Sequence, residues 1–157
     1  MMYLLLLFLL AGCGVASPWH CDTISAASHQ FDSSRLTYKT PSSHLGLELL
    51  KAGDKIYAFL FLDQHRFSTD NAPVKIFLTI GDEQLTEILP VRKGGMKILL
   101  SNEMSEKLIL GLQEGKSAVI LGGGFQETID PADFDPAYSK FMKGESLFSN
   151  LLKDPLE

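Results

Sequence analysis

The chain has 157 residues, a formal net charge of −5 at pH 7 and only two cysteines. This length fits one domain that buries about two-thirds of its unfolded surface. Nucleic-acid binding relies on clustered Lys and Arg, so the acidic balance gives no electrostatic support for a nucleic-acid partner.

A leucine-rich segment occupies residues 3–10 and is followed by small residues. It is shorter than the roughly 20 apolar residues that a transmembrane helix needs to cross about 30 Å of hydrocarbon. Its length is that of the hydrophobic region of a signal peptide, which a peptidase cleaves beside small residues. We therefore expect an exported protein.

The tetrad Leu10-Ala11-Gly12-Cys13, directly after this segment, resembles the lipobox of bacterial lipoproteins. The resemblance implies a lipoprotein signal peptide over 1–12 and acyl chains, palmitate among them, on Cys13 as the first mature residue. Two or more chains give stable membrane attachment, because each buried methylene contributes about 0.8 kcal/mol. Gly14, rather than an aspartate, after the cysteine implies a cell outer membrane location, with the domain facing the periplasm or the cell surface.

Two other interpretations of the leader remain open. Signal-peptide cleavage after Ala16, with Gly14 and Ala16 as the small pair, would release a soluble secreted protein. A buried hydrophobic helix of a cytoplasmic protein would show a similar apolar run. Under the lipoprotein interpretation Cys21 is an odd thiol in an oxidising compartment, which indicates either an intermolecular disulfide or a buried, inert residue.

Residues 13–30 are rich in Ser and Ala and have little periodic apolar pattern. This predicts a lipid-anchored tether, interrupted by Trp19, before a single globular domain at 31–157. Within that domain, alternating or continuous apolar patterns predict strands. These segments are 35–39, 45–50, 55–62, 74–80, 85–91, 96–100, 117–121 and 125–129.

Three strand segments allow a finer prediction. The segment 55–62 is almost continuously apolar, which is typical of a central strand covered on both faces. Segments 74–80 and 85–91, joined by Gly81-Asp82, predict a β-hairpin. Pro90 cannot donate a ladder hydrogen bond, which predicts that the second arm is an edge strand.

The clearest helical pattern covers 102–114, with Ser101 or Asn102 as the N-cap and Gly115 after its end. Asp130-Pro131 and Asp135-Pro136 each place a capping residue before a proline, and we expect short helices at 137–143 and 147–153. Strands clustered without regular helical crossovers indicate an α+β fold with a mainly antiparallel sheet or sandwich.

The stretch 96–125 also resembles small exported β-sandwich proteins of the invasion-associated locus B type. The shared element is a short helix that ends in Gly-Lys before a strand, here Gly115-Lys116. The element is generic, so no functional residue is carried over from it.

No motif in the sequence compels a chemistry. The glycines at 122–124 lack phosphate-loop spacing and indicate a turn or bulge. The acids Glu127, Asp130, Asp133 and Asp135 do not form a calcium loop, and capping accounts for two of them. The histidines, His20, His29, His44 and His65, lack metal-ligand spacing, so we expect no metal and no cofactor.

The densest polar loop is Asp63-Gln64-His65-Arg66, and a catalytic site, if there is one, is expected there. We favour a lipid-anchored envelope protein with a non-catalytic structural or recognition role and a protein partner. The alternative is a small periplasmic enzyme that gathers His65 with Asp63, Asp70 or the 127–135 acids in a cleft. An exposed apolar patch without such a cleft would favour the binding protein.

Overall fold

A computed structural model describes residues 16–24, 33–70, 72–92 and 94–144. These residues form two antiparallel sheets and two helices, which confirms the α+β prediction. In chain order the elements are β1 (Trp19–Ile24), β2 (Ser33–Tyr38), β3 (Leu45–Ala52), β4 (Lys55–Leu62), β5 (Val74–Ile80), β6 (Glu83–Leu89), β7 (Lys97–Leu99), α1 (Asn102–Gln113), β8 (Ala118–Gly122), β9 (Phe125–Ile129) and α2 (Phe134–Lys143).

The strands are divided between two sheets. Sheet A has the order β1-β2-β3-β4-β7, and sheet B has the order β6-β5-β8-β9. Just after β6, Val91 pairs with Ile98 of β7, so the chain passes directly from one sheet to the other. Helix α2 packs on β1 and β2, and α1 contacts β4, β5 and β8.

The core lies where the inner faces of the two sheets and the two helices meet. Sheet A contributes alternate residues such as Leu36, Leu49 and Leu60, and sheet B contributes Ile76 and Ile120, each at most 1% exposed. The period of two in the strand sequences is what brings these side chains to one face. Met104, Leu108 and Leu112 of α1 complete the core from one helix face.

The hairpin predicted at 74–91 is confirmed as β5 and β6, joined by a turn at Gly81-Asp82. Gly81 has φ 56°, in the left-handed region that such a turn requires. Strand β6 is at the edge of sheet B, as Pro90 indicated. The turn prediction for the glycine triplet is also confirmed, because Gly123 and Gly124 connect β8 to β9.

The structure corrects the tether prediction. Residues 19–24 form β1, which is paired along its whole length with β2, so the sheet begins before residue 31. Trp19 is 5% exposed, and its indole Nε1 donates a hydrogen bond to the carbonyl oxygen of Asp130. The ladder with β2 and this buried aromatic side chain together bring the segment into the fold.

The prediction that 55–62 is covered on both faces was wrong for one face. Strand β4 is internal in sheet A, and its inner-facing Ala58, Leu60 and Leu62 are buried. Tyr57, Phe59 and Phe61 alternate with them on the outer face and stay partly exposed. Aromatic rings tolerate a half-buried position on a pleated sheet, so a continuous apolar run does not by itself require cover on both sides.

Helix α1 confirms its predicted limits, because the Ser101 hydroxyl accepts a hydrogen bond from the Met104 N–H and Gly115 follows in the left-handed region. The caps predicted for α2 were wrong. The helix begins at Phe134, and its N-cap residue is Asp133. Asp133 has φ 62°, and its side chain makes no capping hydrogen bond.

The two aspartates predicted as caps serve other purposes. Asp130 accepts a hydrogen bond from the Ala132 N–H in the preceding turn. Asp135 lies within the first turn of α2, where a negative charge is favourable beside the helix N-terminus. The helix nevertheless ends at Gly144, as predicted for 137–143.

Several predictions fall outside the described residues. These are the signal peptide at 1–12, the lipidation site Cys13, and the helix at 147–153. Among the residues that the structure describes, no helix is long and apolar enough to cross a membrane.

Candidate functional site

The predicted polar loop lies at the rim of the sandwich, where the β2–β3, β4–β5 and β8–β9 connections meet. The ring of His65 packs edge-on against His44, with centroids 4.4 Å apart, and lies 5.5 Å from the ring of Phe125. Gln64 adopts φ 62°, which turns the chain sharply between Asp63 and His65. The two histidines, 21 positions apart in sequence, therefore form an edge-to-face pair.

The two nearby carboxylates that an enzyme would need, Asp63 and Asp70, are each hydrogen-bonded to another side chain. Asp63 is bound to the Lys39 ammonium, and this hydrogen bond and charge hold the pKa of its carboxyl below the ordinary value. The Asp70 pKa is also lowered, chiefly by a hydrogen bond from the Ser68 hydroxyl at 2.8 Å. A carboxylate held ionised in this way is a poor proton donor at neutral pH.

A groove of about 380 Å³ lies beside the histidine pair and is lined by His44, Phe125, Glu127 and Ser43. The Ser43 hydroxyl accepts from the Leu45 N–H at 3.1 Å and donates to the Leu45 carbonyl oxygen at 3.0 Å. Because both of its bonds close a local turn, it is not hydrogen-bonded to a base as an activated nucleophile must be.

Of the acids of the 127–135 stretch, Glu127 lines the rim groove and the three aspartates do not. Glu127 accepts a hydrogen bond from the Thr40 hydroxyl at 3.2 Å, which ties β9 to the β2–β3 connection. The other three acids lie near the start of α2. Asp130 and Asp133 precede the helix, and Asp135 is in its first turn. In the described ranges no three His, Cys, Asp or Glu side chains come close enough to hold a metal ion.

Cys21 lies on β1, partly buried against the core, and has a free thiol. Burial raises the pKa of this thiol, and the charge of Asp22 raises it further. A raised pKa leaves little thiolate at neutral pH, and the thiolate is the form that attacks a disulfide or binds a metal.

The most distinctive surface lies on the outer face of sheet B. We call it the apolar face and define it by Phe77, Ile88, Val119 and Leu121. Ile88 is 69% exposed, Phe77 39% and Leu121 38%, and Phe77 and Leu121 are directly opposed across β5 and β8. The Lys75 ammonium lies 5.0 Å from the centre of the Phe77 ring, and Lys75 is directly opposite Ile88 across β5 and β6, so the face also contains a cation.

The sequence contains a pattern that could have predicted part of this face. The alternation in 74–80 places Phe77 among the outward residues of an otherwise amphipathic strand. Ile88 and Leu121 occupy outward positions of their own strands as well. Only the sheet order shows that these strands are adjacent, so that isolated exposed residues become one surface.

Comparison of the chain with protein-family profiles, with curated proteins and with solved structures finds no match in any of the three.

Proposed function

We propose that the chain is a lipid-anchored envelope protein with a non-catalytic recognition role, and that it binds a protein partner through the apolar face. The observation that carries the proposal is the exposure of Ile88, Phe77 and Leu121 on three adjacent strands. A contiguous exposed apolar surface with polar borders is typical of a protein-interaction site.

The geometry of the rim argues against the enzyme alternative. His65 packs against two rings, Asp63 is bound to Lys39, and the Ser43 hydroxyl is engaged with Leu45. Nucleophilic catalysis needs a hydroxyl or thiol within hydrogen-bond reach of a base that a third group orients. The described side chains of the rim include a hydroxyl, a histidine and a carboxylate, but they are not hydrogen-bonded to one another as a catalytic set.

The proposed anchor is compatible with the early start of the fold. Residues 14–18 separate Cys13 from the buried Trp19, a span of at most about 20 Å when fully extended. The lipid would then hold the domain close to the bilayer instead of on the long tether that the sequence predicted. Such proximity suits recognition of another envelope component.

The anchor is tested by intact-mass analysis of membrane-extracted protein, with Cys13→Ser as the control. We expect the mass of the acyl chains, and retention in the membrane fraction, to be lost together in the variant. Equal masses and equal membrane retention for the two proteins would contradict the anchor.

The recognition role is tested by site-specific photo-crosslinking in cells. A photoreactive phenylalanine analogue at position 88 should give a discrete adduct with another protein. The matched control is position 110 on α1, where Leu110 is 54% exposed but lies outside the apolar face. No adduct at position 88, or equal adducts at both positions, would contradict the proposal.

A further inference from the structure

The outer face of sheet A has a groove of about 560 Å³, larger than the one at the histidine rim. Small-molecule sites usually occupy roughly 300–1,000 Å³, so this groove is large enough for a ligand. It lies on a different sheet from the apolar face and does not depend on the anchor or the protein partner proposed above.

Phe61 of β4 and Thr37 of β2 line the groove from the two sides of β3. Phe61 is paired with Gly46 of β3, and a Cβ built on that glycine would lie 2.3 Å from Cζ of the ring. The ring therefore rests directly on the Gly46 backbone, and a side chain there would displace it. The glycine fixes a partly exposed aromatic surface in the groove.

Charged side chains around this ring are paired with one another. Arg35 donates to Asp22 at 3.0 Å, and Lys97 donates to Glu48 at 2.9 Å. Lys39, which also lines the groove, is bound to Asp63. Because each cation has its own anion, the groove has no excess of one charge with which to attract a polyanion or a polycation.

These pairs still have hydrogen-bonding capacity. A guanidinium has five N–H donors, and among the described residues Arg35 uses only Nη2, on Asp22. A carboxylate accepts about four hydrogen bonds. The Thr37 hydroxyl adds a group that both donates and accepts.

Donors and acceptors of balanced charge around an aromatic surface are complementary to a sugar. A sugar presents hydroxyls that both donate and accept at its edges, and an apolar face of C–H groups that packs on an aromatic ring whose face is slightly negative. We propose that this groove binds a neutral oligosaccharide, with Phe61 as the stacking surface and Arg35, Thr37 and Glu48 as hydrogen-bonding groups.

The test uses the full-length chain in detergent solution and ligand-observed NMR titrations. The probes are chitotetraose, maltotetraose and a heparin tetrasaccharide. We expect saturable binding of at least one neutral probe. Phe61→Leu should weaken it about tenfold and the isosteric Thr37→Val about threefold, since each removes one contact of roughly 0.7–1.4 kcal/mol.

The matched control is Thr79→Val, the same substitution on the outer face of sheet B, which should leave the affinity unchanged. Urea unfolding establishes that each variant is folded, and if Phe61→Leu does not fold, Thr37→Val decides the test. Three outcomes overturn the proposal: no neutral probe binds, only the heparin probe binds, or folded variants keep the full affinity.

Discussion

The indole of Trp19 packs against the ring of Phe134, with the two centroids 4.8 Å apart, and against the ring of Tyr38 at 4.7 Å. This contact joins the first described strand to the last described helix. Trp19 is the most buried residue of β1, so its side chain anchors the beginning of the strand to the core in addition to the ladder with β2.

We predict that Trp19→Ala lowers the free energy of unfolding by about 3–5 kcal/mol, the usual cost of deleting a buried aromatic side chain. The measurement is urea unfolding followed by far-UV circular dichroism. His20→Ala, at the exposed neighbouring position, should change the stability by less than about 0.5 kcal/mol. A loss below about 1 kcal/mol for Trp19→Ala would show that the segment behaves as the tether that its composition suggested.

The phenol of Tyr38 links the two sheets. Its hydroxyl donates to the Thr128 carbonyl oxygen at 3.2 Å and accepts from the Asp130 N–H at 3.1 Å. Tyr38→Phe would leave a backbone N–H and a carbonyl without their partner, which costs about 1–3 kcal/mol where they are buried.

The stability of Tyr38→Phe is measured by urea unfolding, and the control is Tyr57→Phe, on the partly exposed outer face of β4. We expect the control to lie within about 0.5 kcal/mol of the unmodified protein. Equal effects of the two substitutions would mean that the link between the sheets contributes no stability.

Alkaline pH should weaken the fold through the same phenol. Burial raises the pKa of Tyr38 above the ordinary tyrosine value of 10.0. Below pH 10 the phenol is protonated in both states, and its contribution to stability is complete. Above pH 10 the unfolded chain ionises first, so stability falls as the pH rises towards the folded-state pKa.

Unfolding midpoints measured from about pH 8 to pH 11 check this prediction. We expect a steeper decline for the unmodified protein than for Tyr38→Phe, because lysines and the other tyrosines titrate in both proteins. Parallel curves would show that Tyr38 ionises equally easily in the folded and unfolded states.

The strand and helix predictions succeeded where one periodic pattern governed a whole element. The alternation in 74–80 and the capped helix at 102–114 depend on local rules that tertiary contacts reinforce. The beginning of β1 was missed because its place in the sheet depends on long-range packing of Trp19, which a Ser- and Ala-rich window does not reveal. The caps of α2 were misplaced because proline fixes φ but does not by itself fix where a helix begins.

The sites were less predictable than the fold for a similar reason. His44 and His65 are brought together by the β2–β3 and β4–β5 connections, and the sequence pattern carries no information about how those loops meet. The apolar face and the groove of sheet A each combine residues from three or more strands. Their outward positions follow from alternation, but their proximity follows only from strand order.

Gly111 lies where α1 packs against Ile80 of β5. A Cβ built there would lie 2.4 Å from Cγ2 of Ile80, an atom attached to the stiff, branched β-carbon. Gly111→Ala gains about 1 kcal/mol of helix propensity but forces the helix and the strand apart, which typically costs about 1–3 kcal/mol. We therefore expect a net loss of stability, measured by urea unfolding.

The cause of that loss can be separated from the propensity effect with a double-mutant cycle. Ile80→Ala removes the opposing Cγ2 and should destabilise the protein by about 2–5 kcal/mol on its own. Once that atom is absent, Gly111→Ala should become neutral or stabilising, because only the gain in helix propensity remains. Purely additive effects would show that α1 does not touch β5 at this point, since side chains in contact give a coupling energy of about 0.5–3 kcal/mol.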